Sequence, residues 1–389
     1  MFNNKFKKLL LASSILVATG AANAGYEIKL SEEDKVTFGG YLKVDARHVT
    51  GEVAYADFWL GAGLHGAAGA PGESKSQTKL FANESRFNMK YTHGEVTGFL
   101  ELDFNVSSQG NQIVSNSVSP RMRHAFIKYQ NYTVGQTWTT FMNTSALAET
   151  LDFAGPIMGA VFIRQAQVRY TNGGLQLSLE NPESDKGDAT QDSMPDFVAK
   201  YTFKGDWGNV SVAGLVRQLN TADVTAVTAA DAITVTDVVT GLPVTMTPAV
   251  AGVTGINGTS ETSVGYSIAG RINTIGKDDL RFQYSGGEVG RYVGVVSARD
   301  LAGPTFQEVE ETDSYLVAYR HFWTEDTRST LAYGHAEADI SGMESTQWSL
   351  NLIKNLTKQL SVGVEVGNFS RDDKDIDSDF AQLSLKYVL

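Results

Sequence analysis

The chain has 389 residues and a formal net charge of −12, an acidity that argues against nucleic acid as a partner. It contains no cysteine, which excludes thiol chemistry, disulfides and any cysteine-based zinc site. Glycine is abundant at 38 and proline scarce at 8, beside 15 tyrosines and 19 phenylalanines. With a slightly negative mean hydropathy, that composition suits many aromatic-rich strands joined by tight turns and polar loops.

Lys5, Lys7 and Lys8 precede a short apolar run from Leu9 to Gly20, and Ala22-Asn23-Ala24 is a small-residue cleavage site. Residues 1–24 therefore read as a signal peptide cleaved before Gly25. The run falls short of the roughly 20 residues of a spanning helix. Cleavage removes three lysines and no acid, which takes the charge from −12 to −15. Residues 25–35 are expected to be a short periplasmic segment, and nothing after residue 24 is apolar and long enough to cross a membrane as a helix.

From residue 36 the chain alternates apolar and polar residues in sixteen segments, most of them near the length of a tilted membrane strand. They lie near 36–48, 79–92, 95–105, 120–130, 132–138, 161–171, 174–181, 194–203, 207–219, 261–272, 278–287, 312–323, 327–337, 346–354, 359–368 and 379–389. In 207–219, Val210, Val212, Gly214 and Val216 share one face and Ser211, Ala213, Leu215 and Arg217 the other. In 278–287, Leu280, Phe282 and Tyr284 alternate with Arg281, Gln283 and Ser285. Segment 120–130 has no clean facing, since Arg121 and Arg123 share one parity and His124 and Phe126 the other.

The connections alternate long and short without exception. Short ones are 92–94, 131, 172–173, 204–206, 273–277, 324–326 and 355–358. Longer ones lie near 49–78, 106–119, 139–160, 182–193, 220–260, 288–311, 338–345 and 369–378. Long loops at one end and tight turns at the other define an outer-membrane barrel with short periplasmic turns and long outer loops. The expected fold is all-β: a 16-stranded antiparallel transmembrane β-barrel over 36–389. A barrel of that size encloses an aqueous channel, and too little chain precedes the first strand to plug it. Any constriction must come from a loop. The final strand, with Leu383, Leu385, Tyr387 and Leu389 on one face, has the form read by the outer-membrane assembly machinery.

Other motifs carry less. Gly61-Ala62-Gly63-Leu64-His65-Gly66 matches a dinucleotide fingerprint but lies in a loop without the strand and helix that give it meaning. Asp373, Asp375 and Asp377 begin like a calcium loop, yet Ser378 and Ser384 stand where glycine and glutamate belong. The alternatives are a solvated loop or divalent bridging to lipopolysaccharide. The six histidines show no metal spacing, and no nucleophile elbow or P-loop occurs. Ser329 or Ser349 near His335 is the one arrangement a barrel hydrolase could use.

Basic residues on polar parities remain: Lys43, Arg47, Arg86, Arg217, Arg271, Arg281 and Arg328. A cation on the lipid face costs about 2–4 kcal/mol at the midplane, so these are expected to face the lumen. There they either balance acids such as Asp45, Glu84, Glu101 and Asp103 or form a ladder favouring anions.

The stretches VTFGGYLKVDARHVTG (36–51), ESRFNMKY (84–91), PRMRHAF (120–126), VGQTWTTFM (134–142), ETLDFAGP (149–156), FIRQAQVRYT (162–171), LENPES (179–184), PDFVAKY (195–201), GEVGRYVG (287–294) and AYRHFWT (318–324) together resemble the DcaP-like outer-membrane porins. The resemblance implies a homotrimer of sixteen-stranded barrels passing small anionic solutes, notably dicarboxylates. It also implies that the third outer loop, about 139–160, folds inward as the constriction around Glu149, Asp152 and Phe153. Arg121, Arg123, Arg164 and Arg169 join the expected lumen charges, although Arg164 and Arg169 differ in parity. The reading is a passive porin of the bacterial outer membrane, embedded in lipid and lipopolysaccharide, with no cofactor or metal. The rival within the class is a general or cation-preferring porin; those outside it are a barrel hydrolase or a surface adhesin.

Overall fold

The computed structural model describes residues 25–53, 74–105, 118–153, 155–184, 193–221, 233–236, 243–247, 258–293, 299–303 and 308–389. The expected signal peptide at 1–24 and the glycine motif at 61–66 lie outside the described residues.

Sixteen antiparallel strands close into one barrel. The first eight are β1 (Asp34–Gly51), β2 (Lys75–Phe81 and Arg86–His93), β3 (Val96–Asp103), β4 (Arg121–Tyr129), β5 (Tyr132–Trp138), β6 (Arg164–Asn172), β7 (Leu175–Glu180) and β8 (Asp196–Gly205). The other eight are β9 (Gly208–Asn220), β10 (Ser260–Asn273), β11 (Asp279–Gly287), β12 (Thr312–Phe322), β13 (Thr327–Ala338), β14 (Glu344–Asn355), β15 (Leu360–Arg371) and β16 (Ile376–Val388). β1 pairs with β16, Tyr41 opposite Val388 and Gly51 opposite Ser378, which closes the ring. Closure is what hydrocarbon demands, because an open edge would leave backbone groups without partners.

The facing is that of a soluble protein turned inside out. Val264, Tyr266 and Ile268 on β10 are exposed, and so are Leu383, Leu385 and Tyr387 on β16. The intervening Ser263 and Ser267, and Gln382 and Ser384, are buried. On β11, Arg281, Gln283 and Ser285 point inward while Tyr284 is exposed.

Three details add to the sequence expectation. Within residues 25–35, Tyr26–Lys29 forms a strand on the lower part of β1, with Tyr26 opposite Phe38 and Lys29 opposite Lys35. It extends the line of β16, and Leu389, just after that strand, donates its N–H to the Gly40 carbonyl at 3.0 Å. β2 is broken at 82–85, where the Ser85 N–H turns back to the Ala82 carbonyl. The Ser85 hydroxyl accepts from the Lys43 N–H at 3.1 Å, which repairs the ladder while Glu84 turns inward.

The muddled facing of 120–130 is a β-bulge. Glu101 pairs with His124 but Leu102 pairs with Met122, which leaves Arg123 as an extra residue. The bulge switches parity partway along the strand. Arg123 and His124 are therefore both buried, while Met122 and Ile127 are exposed.

Buried apolar residues cluster where connections pack against the inner wall. Phe141 and Met142 meet Val198, Leu215 and Tyr292; Ile157 and Met158 meet Val49, Phe369 and Phe380; Ala160 meets Leu316, Ala318 and Ala332. Within the 220–260 connection, Ile233–Thr236 and Pro243–Thr247 pair as a small hairpin.

Leu350 lies on the outer face between Leu331 and Val366. Replacing it with arginine should destabilise the barrel by about 2–4 kcal/mol, read by urea titration in lipid vesicles. Unchanged stability would place this face out of the hydrocarbon.

Candidate functional site

Residues 139–160 leave β5 and run inside the barrel, anchored in sequence along the wall. Asn143 donates to Asn209, Ser211 and the Ala269 carbonyl, each at 3.0 Å. Arg281 donates to the Leu147 carbonyl. Glu149 then takes a fork from Arg328 at 2.9 and 2.6 Å and a third bond from Arg320 at 2.9 Å. Farther on, Glu365 accepts from the Leu151 and Asp152 N–H groups, both at 2.8 Å. Lys43 and Gln382 donate to the Leu151 carbonyl, at 2.6 and 2.9 Å. Asp152 pairs with Arg47.

The loop then returns along the wall through a short 3-10 turn, Ile157–Gly159. A β-carbon on Gly334 would sit 2.6 Å from the Pro156 ring, and one on Gly159 would strike the Tyr315 carbonyl. Glycine at both positions lets the returning arm lie flat on β12 and β13.

Phe153 continues past β1 to the inner faces of β2 and β4. The guanidiniums of Arg86, Arg123 and Arg121 lie 5.3, 5.5 and 5.8 Å from its ring centroid. Arg123 also lies 6.0 Å from Trp138, and Arg164 stacks on that ring at 4.3 Å. Although Arg164 shares its parity with the outward Ala166 and Val168, it joins this cluster at the head of β6. Arg121 chelates Asp103 at 2.9 and 2.8 Å, and Arg123 bonds Glu101 and Asp103, both at 2.8 Å. Arg86 and Arg164, half-buried, have no carboxylate partner among the described residues, and Arg86 Nε and Arg164 Nη1 have no hydrogen-bond partner.

The other expected lumen charges have different surroundings. Lys43 pairs with Glu84 and Asp45, and Arg281 with Asp279 at 2.7 Å. Arg217 is 2 % exposed, enclosed by Asp196, Asp300 and the Glu183 carbonyl. Arg169 donates to Thr140, Gln167 and the Trp138 carbonyl. Arg271 stands opposite Arg281 on the neighbouring strand, its Nε unpartnered.

Sequence reasoning missed Arg320, which shares Glu149 with Arg328 and also binds Asp279. It lies on the inward parity of β12 with Thr312 and Ser314, a signal masked by the apolar Leu316 and Ala318 that pack beneath the loop. It also missed Glu365 and Lys386; Lys386 lies 4.2 Å from the Tyr41 ring centroid. The hydrolase arrangement does not form. Ser349 is on the inward face and Ser329 bonds Trp323 at 2.9 Å, while His335 turns outward beside Thr346. His335, Glu344 and Asp372 present ligand-type atoms within 4.8 Å of one another at that outer rim, away from the lumen. Of the calcium-like triplet, Asp373 pairs with Arg371 at 2.8 Å and Asp377 accepts from Asn368 at 2.7 Å.

A closed barrel of sixteen strands, apolar outside, polar inside and crossed by an anchored inner loop, is an outer-membrane porin: a channel and not an enzyme. The chain belongs to the DcaP outer membrane protein family, whose model matches residues 31–226, just over half of its length. The outer-membrane channel DcaP of Acinetobacter baumannii shares the fold with a TM-score of 0.70 and 21% identity, over 93% of this chain and 99% of that one. OmpF of Salmonella typhi, solved with daunomycin, has a TM-score of 0.57 at 13% identity, over 94% and 100%. An anion-selective porin from Comamonas acidovorans has 0.54 at 12%, over 92% and 100%. No curated protein matches in sequence.

Burial alone would raise the Glu149 carboxyl, but the hydrogen bonds and charges of Arg328 and Arg320 outweigh it and hold it at about 2. A carboxyl lowered by folding contributes fully above the ordinary carboxylate range, and its contribution fades as pH falls through the folded value. Single-channel conductance should therefore stay steady from neutrality down to about pH 4. Glu149→Gln, which leaves Arg328 without its carboxylate while Arg320 keeps Asp279, should weaken the anchorage by about 3–5 kcal/mol and give larger, noisier openings. Wild-type traces from that variant would show the loop held without the fork.

Proposed function

We propose that this porin passes small anionic solutes, dicarboxylates among them, through a constriction formed between the inner loop and the arginines of β2, β4 and β6. The observation that carries the reading is the placement of unspent charge. The loop's acids are committed to anchoring, Glu149 to Arg320 and Arg328 and Asp152 to Arg47. On β2, β4 and β6, Arg121 and Arg123 pair with Glu101 and Asp103, while Arg86 and Arg164 have no carboxylate in ion-pair range among the described residues. An excess of guanidinium at a narrow point favours anions, and its fork suits carboxylates in particular. Binding there has to be weak enough for release, so passage is diffusion and needs no cofactor.

On the same reading the mature chain starts at Gly25 after signal-peptide removal, is inserted by the outer-membrane assembly machinery, and works as a homotrimer among lipid and lipopolysaccharide. A trimer should migrate as one heat-sensitive band of threefold mass when unheated protein is run in detergent.

The deciding experiment is the reversal potential in a potassium chloride gradient across a planar bilayer. Wild type should prefer chloride, and the double variant Arg86→Gln/Arg164→Gln should lower the anion-to-cation permeability ratio by about threefold to tenfold. Cation preference in the wild type would overturn the anion reading in favour of a general or cation-preferring porin.

A further inference from the structure

The unpaired cations do not end at the constriction. Arg86 lies 5.3 Å from the Phe153 centroid and also 5.2 Å from that of Tyr41, an inward residue of β1. The Lys386 ammonium lies 4.2 Å from the same Tyr41 ring. Cations and rings thus alternate along one side of the lumen, from Arg164 on Trp138, through Arg123 and Phe153, to Arg86, Tyr41 and Lys386. The row also runs along the pore. Arg164 opens β6 at the long-loop end, whereas Lys386 lies near the end of β16, where Tyr41 stands opposite Val388. Leu151 and Asp152 of the inner loop are bound at Lys43 and Arg47; Tyr41 lies on the same inward face of β1 two residues toward the periplasm, and Lys386, opposite Lys43 in the register, carries its ammonium to the Tyr41 ring.

Neither Arg86 nor Lys386 has a carboxylate within ion-pair distance among the described residues. Each is positioned by a ring, and an aromatic face attracts a cation without cancelling its charge. A guanidinium stacked on a ring keeps its in-plane N–H donors for an oxyanion, and a lysine over a ring keeps the donors that point away from it.

We propose that Lys386 and Arg86, gathered about Tyr41, form a second anion-binding station just below the constriction, separate from the outer station of Arg164 on Trp138. Its ligand is a carboxylate or an oxyanion of similar size. Phe153, carried by the inner loop, divides the two stations, and Arg86 is the cation that touches both sides of the divider. An anion leaving the outer station reaches a second positive site before bulk water, and a following anion can displace it. Multi-site occupancy of this kind keeps selectivity compatible with fast release. The inference rests on the anion reading of the channel and adds where the second ion sits.

The test is one-sided addition of succinate to single channels of the full-length protein in planar bilayers, with orientation assigned from the current–voltage asymmetry of each channel. Lys386→Gln should slow succinate blocking events from the periplasmic side by about fivefold, as expected for one charge lost at close range. Blocking from the outer side should change less than blocking from the periplasmic side. Arg164→Gln should do the reverse, slowing events from the outer side. Lys386→Arg should recover wild-type kinetics, and Tyr41→Leu, which keeps every charge but removes the holding ring, should lose part of the periplasmic effect. Equal slowing from both sides in Lys386→Gln, or none, overturns the second station while the reversal potential still reports anion preference. A wild-type channel that prefers cations overturns the anion reading itself.

Discussion

Hydrocarbon offers no water to backbone amides, and everything else in this molecule follows from that constraint. The strands must pair on both sides, so β16 returns to β1 and the sheet closes. Closure at this strand number leaves a space that side chains from the wall cannot fill. The inner face then meets water and can bear charge, while the outer face must be apolar. Arginine and carboxylate are abundant inside for the same reason that leucine and valine are abundant outside.

A loop placed in such a lumen is held by polar contacts as well as by the apolar clusters beneath it. It uses three kinds. Side-chain amides join loop and wall, Asn143 donating to the Ala269 carbonyl and Gln382 to the Leu151 carbonyl. Small wall residues let it lie close at Gly334. Its own acids bind wall cations at Glu149 and Asp152. The third kind has an electrical consequence, because each anchoring pair is neutral. The loop's acids are absorbed in holding it, while Arg86 and Arg164 have no carboxylate partner among the described residues. A net charge of −12 is therefore no objection to the proposed anion preference, because net charge describes the whole molecule and selectivity depends on a few unneutralised groups.

The barrel was legible in the sequence because alternation and loop length are local signals, and each strand records its own facing. Where a strand is irregular the record blurs. The bulge at Arg123 put basic residues on two parities, and without the partner strand no pattern in 120–130 says where the switch falls. The break in β2 was hidden in the same way, since Ser85 replaces a backbone partner with a hydroxyl. Anchoring pairs were not legible at all. Glu149 meets Arg328 across 179 residues of chain, and Arg47 meets Gln382 across 335. Sequence could nominate Arg281 and Arg217 as lumen charges; only their neighbours show that Asp279 and Asp300 already occupy them.

The means of holding a cation therefore separates structure from transport. A guanidinium fixed by a carboxylate is well placed but electrically spent, as Arg328 is by Glu149. One fixed by a ring is also restrained, by about 0.5–2 kcal/mol, yet keeps its charge and its donors for a solute. Arg86 on Tyr41 and Phe153, Arg164 on Trp138 and Lys386 on Tyr41 are of the second kind. Weak restraint is what the proposed anion passage requires of them, because a cation that exchanges partners with a solute cannot be locked in place. The aromatic residues of this lumen are thus part of its electrostatics: they position charge where a carboxylate would remove it.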